Sequence, residues 1–218
     1  MKRTCHFCIL LTVLVLISSC QKDEDDIPLY ISGFFTASTD NKAHIYKLTD
    51  DMGNVYNVEN DDLIFDYDSR TVAYNTNVRI IASIRAKKDS TYVIVSKAYP
   101  WLRKAIPESD ENEKMHDPLK LNGIYAGGGY LNAVLGIMVE SEQTAFESYC
   151  TYKTSKKTPN RITFTLYHDV TTDNPVYTYT LYLSIPLKTT KYSVKKNDTI
   201  CFRYTSFEGD CVEKLIYR

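Results

Sequence analysis

Residues 78–85 read Val-Arg-Ile-Ile-Ala-Ser-Ile-Arg, with apolar side chains at every second position from Val78 to Ile84. This period of two is typical of a β-strand with one face in a core and the other toward water. Ile81 is an exception, because it puts an apolar side chain on the polar face. Residues 92–96 alternate too, but Val93 and Val95 occupy the second face, which predicts a strand covered on both sides. Residues 87–90 between them predict a hairpin loop.

The second half of the chain repeats this pattern. Apolar side chains alternate with threonine and tyrosine over residues 162–167 and again over residues 176–183. Threonine, tyrosine, valine and isoleucine fit the pleated surface of a sheet, and clusters of Asp, Asn, Gly and Pro separate the segments. A helical pattern is limited to about one turn near residues 101–106. The sequence therefore predicts an all-β fold.

A strongly polar stretch divides the chain. Residues 108–114 read Glu-Ser-Asp-Glu-Asn-Glu-Lys and lie between Pro107 and Pro118. Proline resists continuation of a helix or a strand ladder, so residues 107–118 are predicted as a linker. Residues 27–106 offer about five strands, which suits a small OB-like barrel, and residues 119–218 offer six to eight, which suits a β-sandwich. A single merged sandwich is the alternative, and the linker argues against it.

The first 19 residues have the features of a lipoprotein signal peptide. Lys2 and Arg3 precede a nine-residue apolar core, residues 9–17, in which Thr12 is the one polar residue. Nine residues are too few for a membrane span of about 20. Residues 17–20, Ile-Ser-Ser-Cys, resemble the lipobox at which lipoproteins are processed. We therefore expect cleavage before Cys20, lipidation of its thiol by the processing machinery, and attachment to the membrane through several acyl chains. An ordinary secretory signal is the alternative.

Residues 20–26 comprise the lipidation site, Cys20, and the acidic tether that follows it. Its charged residues are Lys22, Asp23, Glu24, Asp25 and Asp26. A block this charged stays solvated. It resembles the signal by which some Gram-negative bacteria sort lipoproteins to the cell surface. We therefore expect an outer-membrane protein exposed on the surface, with a plain spacer and a periplasm-facing location as the alternative.

The charge balance argues against a nucleic-acid partner. The chain has 26 basic and 27 acidic residues. Without Lys2, Arg3 and the five charged residues of the tether, 23 of each sign are left. Nucleic-acid-binding domains carry a basic face or stripe, and a neutral body with its excess charge in the tail does not fit that class.

No segment carries a catalytic, metal-binding or cofactor-binding pattern. His44, His116 and His168 lie in separate segments without the spacing of metal ligands. The three glycines at residues 127–129 lack the lysine and hydroxyl residue of a phosphate-binding loop, and they precede a strand. We expect them to form a tight turn where backbone passes close to backbone. We therefore expect that this protein is not an enzyme and has no cofactor.

Three cysteines follow Cys20, and they leave at least one thiol unpaired. Cys201 and Cys211 could bridge the last hairpin, although buried thiols that act as small hydrophobic side chains are the favoured interpretation for Cys150 and for this pair. Residues 89–91 and 198–200 resemble the sites of bacterial O-glycosylation, with Ser90 and Thr199 as acceptors.

The chain contains 18 tyrosines, which allows a sugar-stacking surface. The candidate groups are Tyr177, Tyr179 and Tyr182, and Tyr92, Tyr99 and Trp101. Packing on sheet faces is the favoured interpretation, because tyrosine buries its ring and keeps its hydroxyl near water.

Three segments resemble the NigD-like lipoproteins. Residues 46–54 contain a strand and an Asp-rich turn, residues 127–132 open a second domain, and residues 166–169 precede the strand at 177–183. The resemblance implies an OB-type domain followed by a β-sandwich, in a family named after a bacteriocin-associated operon and without a settled activity. We expect a non-catalytic lipoprotein that binds a protein or glycan. A carbohydrate-binding accessory protein and an immunity-type protein are the alternatives.

Overall fold

The computed structural model describes residues 29–59, 71–87, 91–109, 116–141, 144–170 and 174–218. The regular secondary structure in these ranges is entirely β-strand. The strands form a closed barrel followed by two further sheets. The predicted all-β class, with a barrel before a sandwich, is confirmed. No helix in the described ranges is long and apolar enough to cross a membrane.

Five strands form the barrel, in the spatial order β1-β2-β3-β5-β4. They are β1 (Tyr30–Thr39), β2 (Ile45–Asp50), β3 (Val55–Glu59), β4 (Asn77–Ala86) and β5 (Tyr92–Ala98). The parallel pairing of β3 with β5 closes the barrel, and the other neighbours are antiparallel. The inward face of β4 matches the predicted alternation, and the buried apolar residues are Phe35, Ala37, Ile45, Leu48, Val58, Ala73, Val78, Ile80, Ala82 and Ile84.

The outer face of the barrel explains why Ile81 interrupts the alternation. Ile81 pairs with Phe34 of β1, and Phe34 is only 4% exposed. The ring centroid of Phe34 lies 6.1 Å from that of Tyr125 and 5.9 Å from that of Tyr182, both on sandwich strands. This part of the barrel wall is therefore covered by the second domain. The prediction that β5 is covered on both sides is wrong, because Val95 is 55% exposed.

Nine strands form the sandwich. They are β6 (Trp101–Leu102), β7 (Ile106–Pro107), β8 (Leu119–Gly127), β9 (Tyr130–Val139), β10 (Phe146–Ser155), β11 (Thr158–Val170), β12 (Tyr177–Pro186), β13 (Thr199–Ser206) and β14 (Gly209–Ile216). One sheet has the order β14-β13-β11-β10-β7 and the other the order β6-β12-β9-β8. The core between them is apolar, and its fully buried side chains include Leu131, Leu135, Ile137, Phe164, Leu183, Ile185, Ile200 and Phe202.

The chain enters the sandwich earlier than the predicted boundary at residue 106. Trp101 pairs with Leu183 of β12, and Ile106 pairs with Thr151 of β10. Residues 101–107 are therefore two short sandwich strands, where the sequence suggested the end of the barrel domain and a helical turn. The reason is burial, since the Trp101 ring is 9% exposed and packs edge-on against Phe146. The predicted linker retains residues 108–118, of which 110–115 lie outside the described ranges.

Candidate functional site at the junction of the two domains

The turn between β2 and β3 is shaped by Asp50. Its Oδ1 accepts hydrogen bonds from the backbone N–H groups of Met52 (2.9 Å) and Asn54 (2.8 Å). Its Oδ2 accepts from the Asn54 side chain (2.8 Å) and from the Tyr56 hydroxyl (3.0 Å). Partial burial alone would raise the pKa of the Asp50 carboxyl, but these hydrogen bonds outweigh it, so the pKa lies below its ordinary value. Asp50 is thus a charged carboxylate that holds the turn in shape.

The side chain of the next residue, Asp51, contacts both domains. Its Oδ2 accepts hydrogen bonds from Arg79 Nη2 (2.7 Å), from the Tyr125 hydroxyl (2.7 Å) and from Asn132 Nδ2 (3.0 Å). The side chains of Arg79 and Asp51 are 2% and 8% exposed. This buried ion pair lies within the barrel, and the hydrogen bonds from Tyr125 of β8 and Asn132 of β9 connect it to the sandwich.

Arg79 is enclosed by aromatic rings and by polar groups of the sandwich. Its guanidinium carbon lies 5.4 Å from the Phe34 ring centroid and 4.6 Å from that of Tyr130, which are cation–π distances. Its Nη2 also donates to Asn132 Oδ1 (3.1 Å), an oxygen that accepts a second hydrogen bond from the Ser184 hydroxyl (2.6 Å). Removing one partner of such a pair leaves an uncompensated buried charge, at a cost of about 3–5 kcal/mol.

The hydroxyl of Tyr125 keeps its proton at this junction. Burial is the largest effect that raises the pKa of its hydroxyl, and the hydrogen bond to the Asp51 carboxylate raises it further. Tyr125 is therefore a neutral hydrogen-bond donor at any physiological pH. The network of Asp51, Arg79, Asn132 and Tyr125 is accordingly a structural joint, because its groups bond to one another across the two domains.

The glycine turn between β8 and β9 packs directly on Asp51. Gly128 and Gly129 have φ angles of 59° and 84°, as a two-residue hairpin turn with positive φ at both positions requires. The backbone N–H of Gly128 donates to the carbonyl oxygen of Asp51 (3.1 Å). A Cβ atom on Gly127 would lie 2.9 Å from the Asp51 Cβ, and one on Gly128 would overlap Asp51 Oδ1. The predicted tight turn with close backbone approach is confirmed, and the approaching backbone belongs to the other domain.

A groove of about 780 Å³ runs along this junction. Thr36, Lys47 and Thr49, on the outer face of β1 and β2, line it from the barrel side. The glycine turn, residues 127–129, lines it from the sandwich side. Met52 lies at the tip of the β2–β3 turn and is 86% exposed beside it. The two domains thus present one continuous recess with polar walls.

Residues 104–217, more than half of the chain, match the NigD-like C-terminal beta sandwich domain. This chain belongs to the NigD-like family. Comparison of the sequence with curated proteins finds no match. The fold is similar to three solved structures, each of which shares less than a quarter of its residues with this chain.

The first similar structure is a NigD-like immunity protein from Bacteroides caccae, with a TM-score of 0.64, 22% identity and coverage of 85% of this chain and 91% of that one. The second is a putative toxin-related protein from Parabacteroides distasonis, with a TM-score of 0.65, 16% identity and coverage of 87% and 94%. The third is a protein of unknown function from Bacteroides vulgatus, with a TM-score of 0.59, 13% identity and coverage of 87% and 92%. These likenesses extend the NigD-like fold over both domains.

Two of the three segments that resembled NigD-like proteins meet at the junction. Residues 46–54 contain the Asp50–Asp51 turn, and residues 127–132 contain the glycine turn and Asn132. The third segment, residues 166–169, lies elsewhere in the sandwich, where the Asp117 side chain accepts a hydrogen bond from the Val170 N–H (2.8 Å). The sequence did not indicate that the first two segments are in contact.

Most predicted modification sites lie outside the described residues. This holds for the signal peptide at residues 1–19, for Cys20, for the tether residues Lys22, Asp23, Glu24, Asp25 and Asp26, and for Ser90. Thr199 is described, and it begins β13 between Arg161 of β11 and Ile216 of β14, half-buried. Its glycosylation stays a prediction.

The disulfide that Cys201 and Cys211 could form, the less favoured interpretation, is absent from the described residues. Cys150, Cys201 and Cys211 are free thiols. In the β13–β14 hairpin, Cys211 lies opposite Tyr204 and Cys201 lies opposite Lys214. Side chains alternate between the two faces of a strand, so a three-residue offset puts the two thiols on opposite faces. Cys150 and Cys201 are buried, and burial raises the pKa of the Cys150 thiol, which makes it unreactive.

The three histidines stay apart from the groove. His168 is 3% exposed, and its Nδ1 lies 3.0 Å from the carbonyl oxygen of Asp117. His116 pairs with His168 only through an isolated backbone bridge, and His44 lies 4.0 Å from the Asp40 carboxylate. In the described part of the chain, no three His, Cys, Asp or Glu side chains are grouped to hold a metal.

The predicted aromatic platforms do not form. Trp101 is buried in the sandwich, and its exposed side is covered by the Arg103 guanidinium at 3.9 Å from the ring centroid. Tyr92 packs against the barrel core instead. Tyr179 and Tyr182 are 38% and 37% exposed, but they are three positions apart on β12 and point to opposite faces.

Sequence reasoning did not identify the junction residues Asp51, Arg79, Tyr125 and Asn132. Two signals could have revealed them. The doubled phenylalanine at residues 34–35 and the misplaced Ile81 indicate a strand pair buried on both faces, and Arg79 is the charge within it. A charge there needs a buried partner.

Proposed function

We propose that this NigD-like chain is a non-catalytic binding protein that recognises another protein, in the manner of an immunity protein that binds a toxin. The observation that carries the proposal is the buried joint in which Tyr125 and Asn132 of the sandwich hydrogen-bond to the Asp51–Arg79 pair of the barrel, beside one groove lined by both domains. The similar structures described as an immunity protein and as toxin-related support the choice of partner.

A fixed joint favours binding, because a surface that is already in its bound shape loses little conformational entropy on association. Asp51 Oδ2 and Asn132 Oδ1 accept their hydrogen bonds within the chain, from Tyr125, Asn132 and Ser184. The groove beside it has exposed polar walls and an exposed Met52 at its rim. A recess with a pre-formed shape and an exposed apolar residue at its edge suits recognition of a protein surface.

Capture from intact cells tests the proposal. The tagged full-length chain is expressed in the cells that produce it, cross-linked, purified, and compared with Asp51→Ala and Asp210→Ala. Asp210 is an exposed aspartate on β14, outside the groove. We expect one reproducible protein partner with wild type and Asp210→Ala, and its loss with Asp51→Ala. Absence of any reproducible protein partner would contradict the proposal.

The immunity role has a separate test. The captured partner is applied to sensitive cells that lack this chain, with and without the purified chain. We expect the partner to inhibit growth and the chain to restore it at equimolar amounts. A harmless partner would remove the immunity role and leave the binding proposal intact.

We also propose that Cys20 anchors the protein in the outer membrane and that the acidic tether sends it to the cell surface. The lipobox-like residues 17–20 and the charged residues 22–26 support this location. Protease treatment of intact cells should degrade wild type and spare a variant with alanine at residues 23–26. Equal protection of both proteins would indicate the periplasm-facing location.

A further inference from the structure

We propose that the groove at the junction binds an acidic, extended segment of the protein partner, an inference that rests on the proposed function. Its chemistry follows from which charges along the groove are already neutralised and which are not. Its geometry follows from the different character of the two walls.

The carboxylates of the groove are committed to the fold. Asp50 accepts four hydrogen bonds from its own turn. Asp51 is paired with Arg79 inside the joint. The oxygens of Asp50 are therefore occupied, although its charge remains, and the charge of Asp51 is balanced by Arg79.

Lys47 is the cation of the barrel wall. Its ammonium nitrogen lies 5.9 Å from the Tyr46 ring centroid and forms no ion pair with any residue in the described part of the chain. Arg218 also lines the groove, so the two lining cations outnumber Asp50, the one lining side-chain carboxylate that has no paired cation among the described residues. This excess of positive charge favours an anionic ligand.

Hydrogen-bond donors surround Lys47 on the same face of the barrel. Thr36 and Thr49 are cross-strand partners, and Lys47 lies opposite Ser38. The Ser38 hydroxyl donates to Asn77 Oδ1 (2.9 Å), which leaves the amide nitrogen of Asn77 available to a ligand. Two hydroxyls, an amide and an ammonium can all donate to carboxylate oxygens.

The opposite wall combines bare backbone with two large side chains. Ala126 and residues 127–129 line one part of it, where the partner segment would meet backbone and one methyl group, and Tyr217 and Arg218 line the other part. Such a wall can accommodate the main chain of an extended peptide, while Lys47 takes its carboxylates. Met52, 86% exposed at the rim, can cover an apolar residue of the same segment.

A peptide titration tests the inference. Amide spectra of the purified chain are recorded with hexaglutamate, and with hexaglutamine, hexalysine and a galacturonate hexamer as comparators. We expect hexaglutamate alone to shift the amides of Thr49, Gly53 and residues 127–129, with weaker binding at high salt. No shift in the groove, or a shift with galacturonate and none with hexaglutamate, would overturn it.

Variants locate the charge. Lys47→Glu should weaken hexaglutamate binding about tenfold or more, which corresponds to about 1.4 kcal/mol. Asn77→Asp, which keeps the acceptor for Ser38 and loses the amide donor, should weaken it as well. Lys120→Glu is the matched control, because Lys120 is exposed on β8 outside the groove lining. Equal weakening by Lys120→Glu would mean that attraction is only to the overall charge.

The captured partner separates this inference from the proposed function. If the partner binds Lys47→Glu as tightly as wild type, the groove inference fails and the proposed function stands. If no protein is captured while hexaglutamate occupies the groove, the proposed function fails and the acidic-ligand chemistry of the groove stands.

Discussion

Asp50 and Asp51 are neighbours with opposite tasks. The Asp50 carboxylate accepts hydrogen bonds from Asn54 and Tyr56 of its own hairpin. The Asp51 carboxylate points away from the hairpin and pairs with Arg79 of β4. The difference arises because Asp50 is the last residue of β2, whereas Asp51 is the first residue of the turn that follows. One carboxylate therefore shapes the turn that delivers the other.

Gly128 is the residue most sensitive to any side chain. Gly128→Ala would place a methyl group on Asp51 Oδ1 and displace the buried pair. We expect it to lower the free energy of unfolding by about 3 kcal/mol or more. Gly129→Ala is the control, because Gly129 also has positive φ but nothing lies within 4 Å of its Cβ position. It should cost about 1 kcal/mol, from backbone strain alone. Equal losses in urea denaturation would contradict this reading of the turn.

His168 makes the stability of the fold dependent on pH. Its Nδ1 faces a carbonyl oxygen, which only accepts, so Nδ1 carries the proton of the neutral ring. Nε2 is buried without a hydrogen-bond partner in the described part of the chain. Burial is the largest effect on its pKa and holds it below the ordinary value, against the opposing effect of Asp117. A proton on Nε2 would therefore be an unpartnered buried charge.

The direction of the pH dependence follows from the coupling of proton binding to folding. Below a pH of about 6.5 the unfolded chain binds a proton at His168 that the folded chain does not, so stability falls as the pH falls, by at most about 1.4 kcal/mol per pH unit. Unfolding of His168→Asn should depend less on pH between about 5 and 7 than unfolding of wild type, with His116→Asn as the control. An unchanged pH dependence in His168→Asn would show that His168 is not the group responsible.

At the scale of elements, the strands could be read from the sequence and their partners could not. The alternation over residues 78–84 and 177–183 predicted β4 and β12, because burial on one face imposes a period of two. The two-residue strands β6 and β7 are too short to show any period. Their place in the sandwich depends on packing of Trp101, which local pattern does not reveal.

These two short strands change the expected result of cutting the chain. Cleavage at a protease site inserted within residues 110–115 should cut the chain into two fragments after β7. Because β6 pairs with β12 and β7 pairs with β10, the two fragments should stay associated and co-elute in gel filtration. Fragments that elute as two separate folded domains would contradict the pairing and restore the originally predicted boundary.

At the scale of the whole molecule, the sequence indicated two domains and left out how they meet. Asp51 and Asn132 are 81 positions apart, and neither residue type nor spacing identifies such a pair. The glycine turn was the best clue, because three consecutive glycines predicted a close approach without naming the partner. The groove itself exists only once both domains are in place.

The anchor is a prediction for the whole molecule as well. Cys20→Ala should abolish labelling of the protein by a fatty-acid analogue and release it from the membrane fraction, because stable attachment needs more than one acyl chain. Cys211→Ala is the matched control, since it also removes a thiol and should leave labelling unchanged. Label that persists in Cys20→Ala would rule out lipidation at this residue.

We infer that the buried joint holds barrel and sandwich as one body around the groove. Residual dipolar couplings of backbone amides in a weakly aligned sample measure this directly, because they report the orientation of each domain. We expect a single alignment tensor for both domains in wild type and two different tensors in Asp51→Ala. Two different tensors in wild type would contradict it.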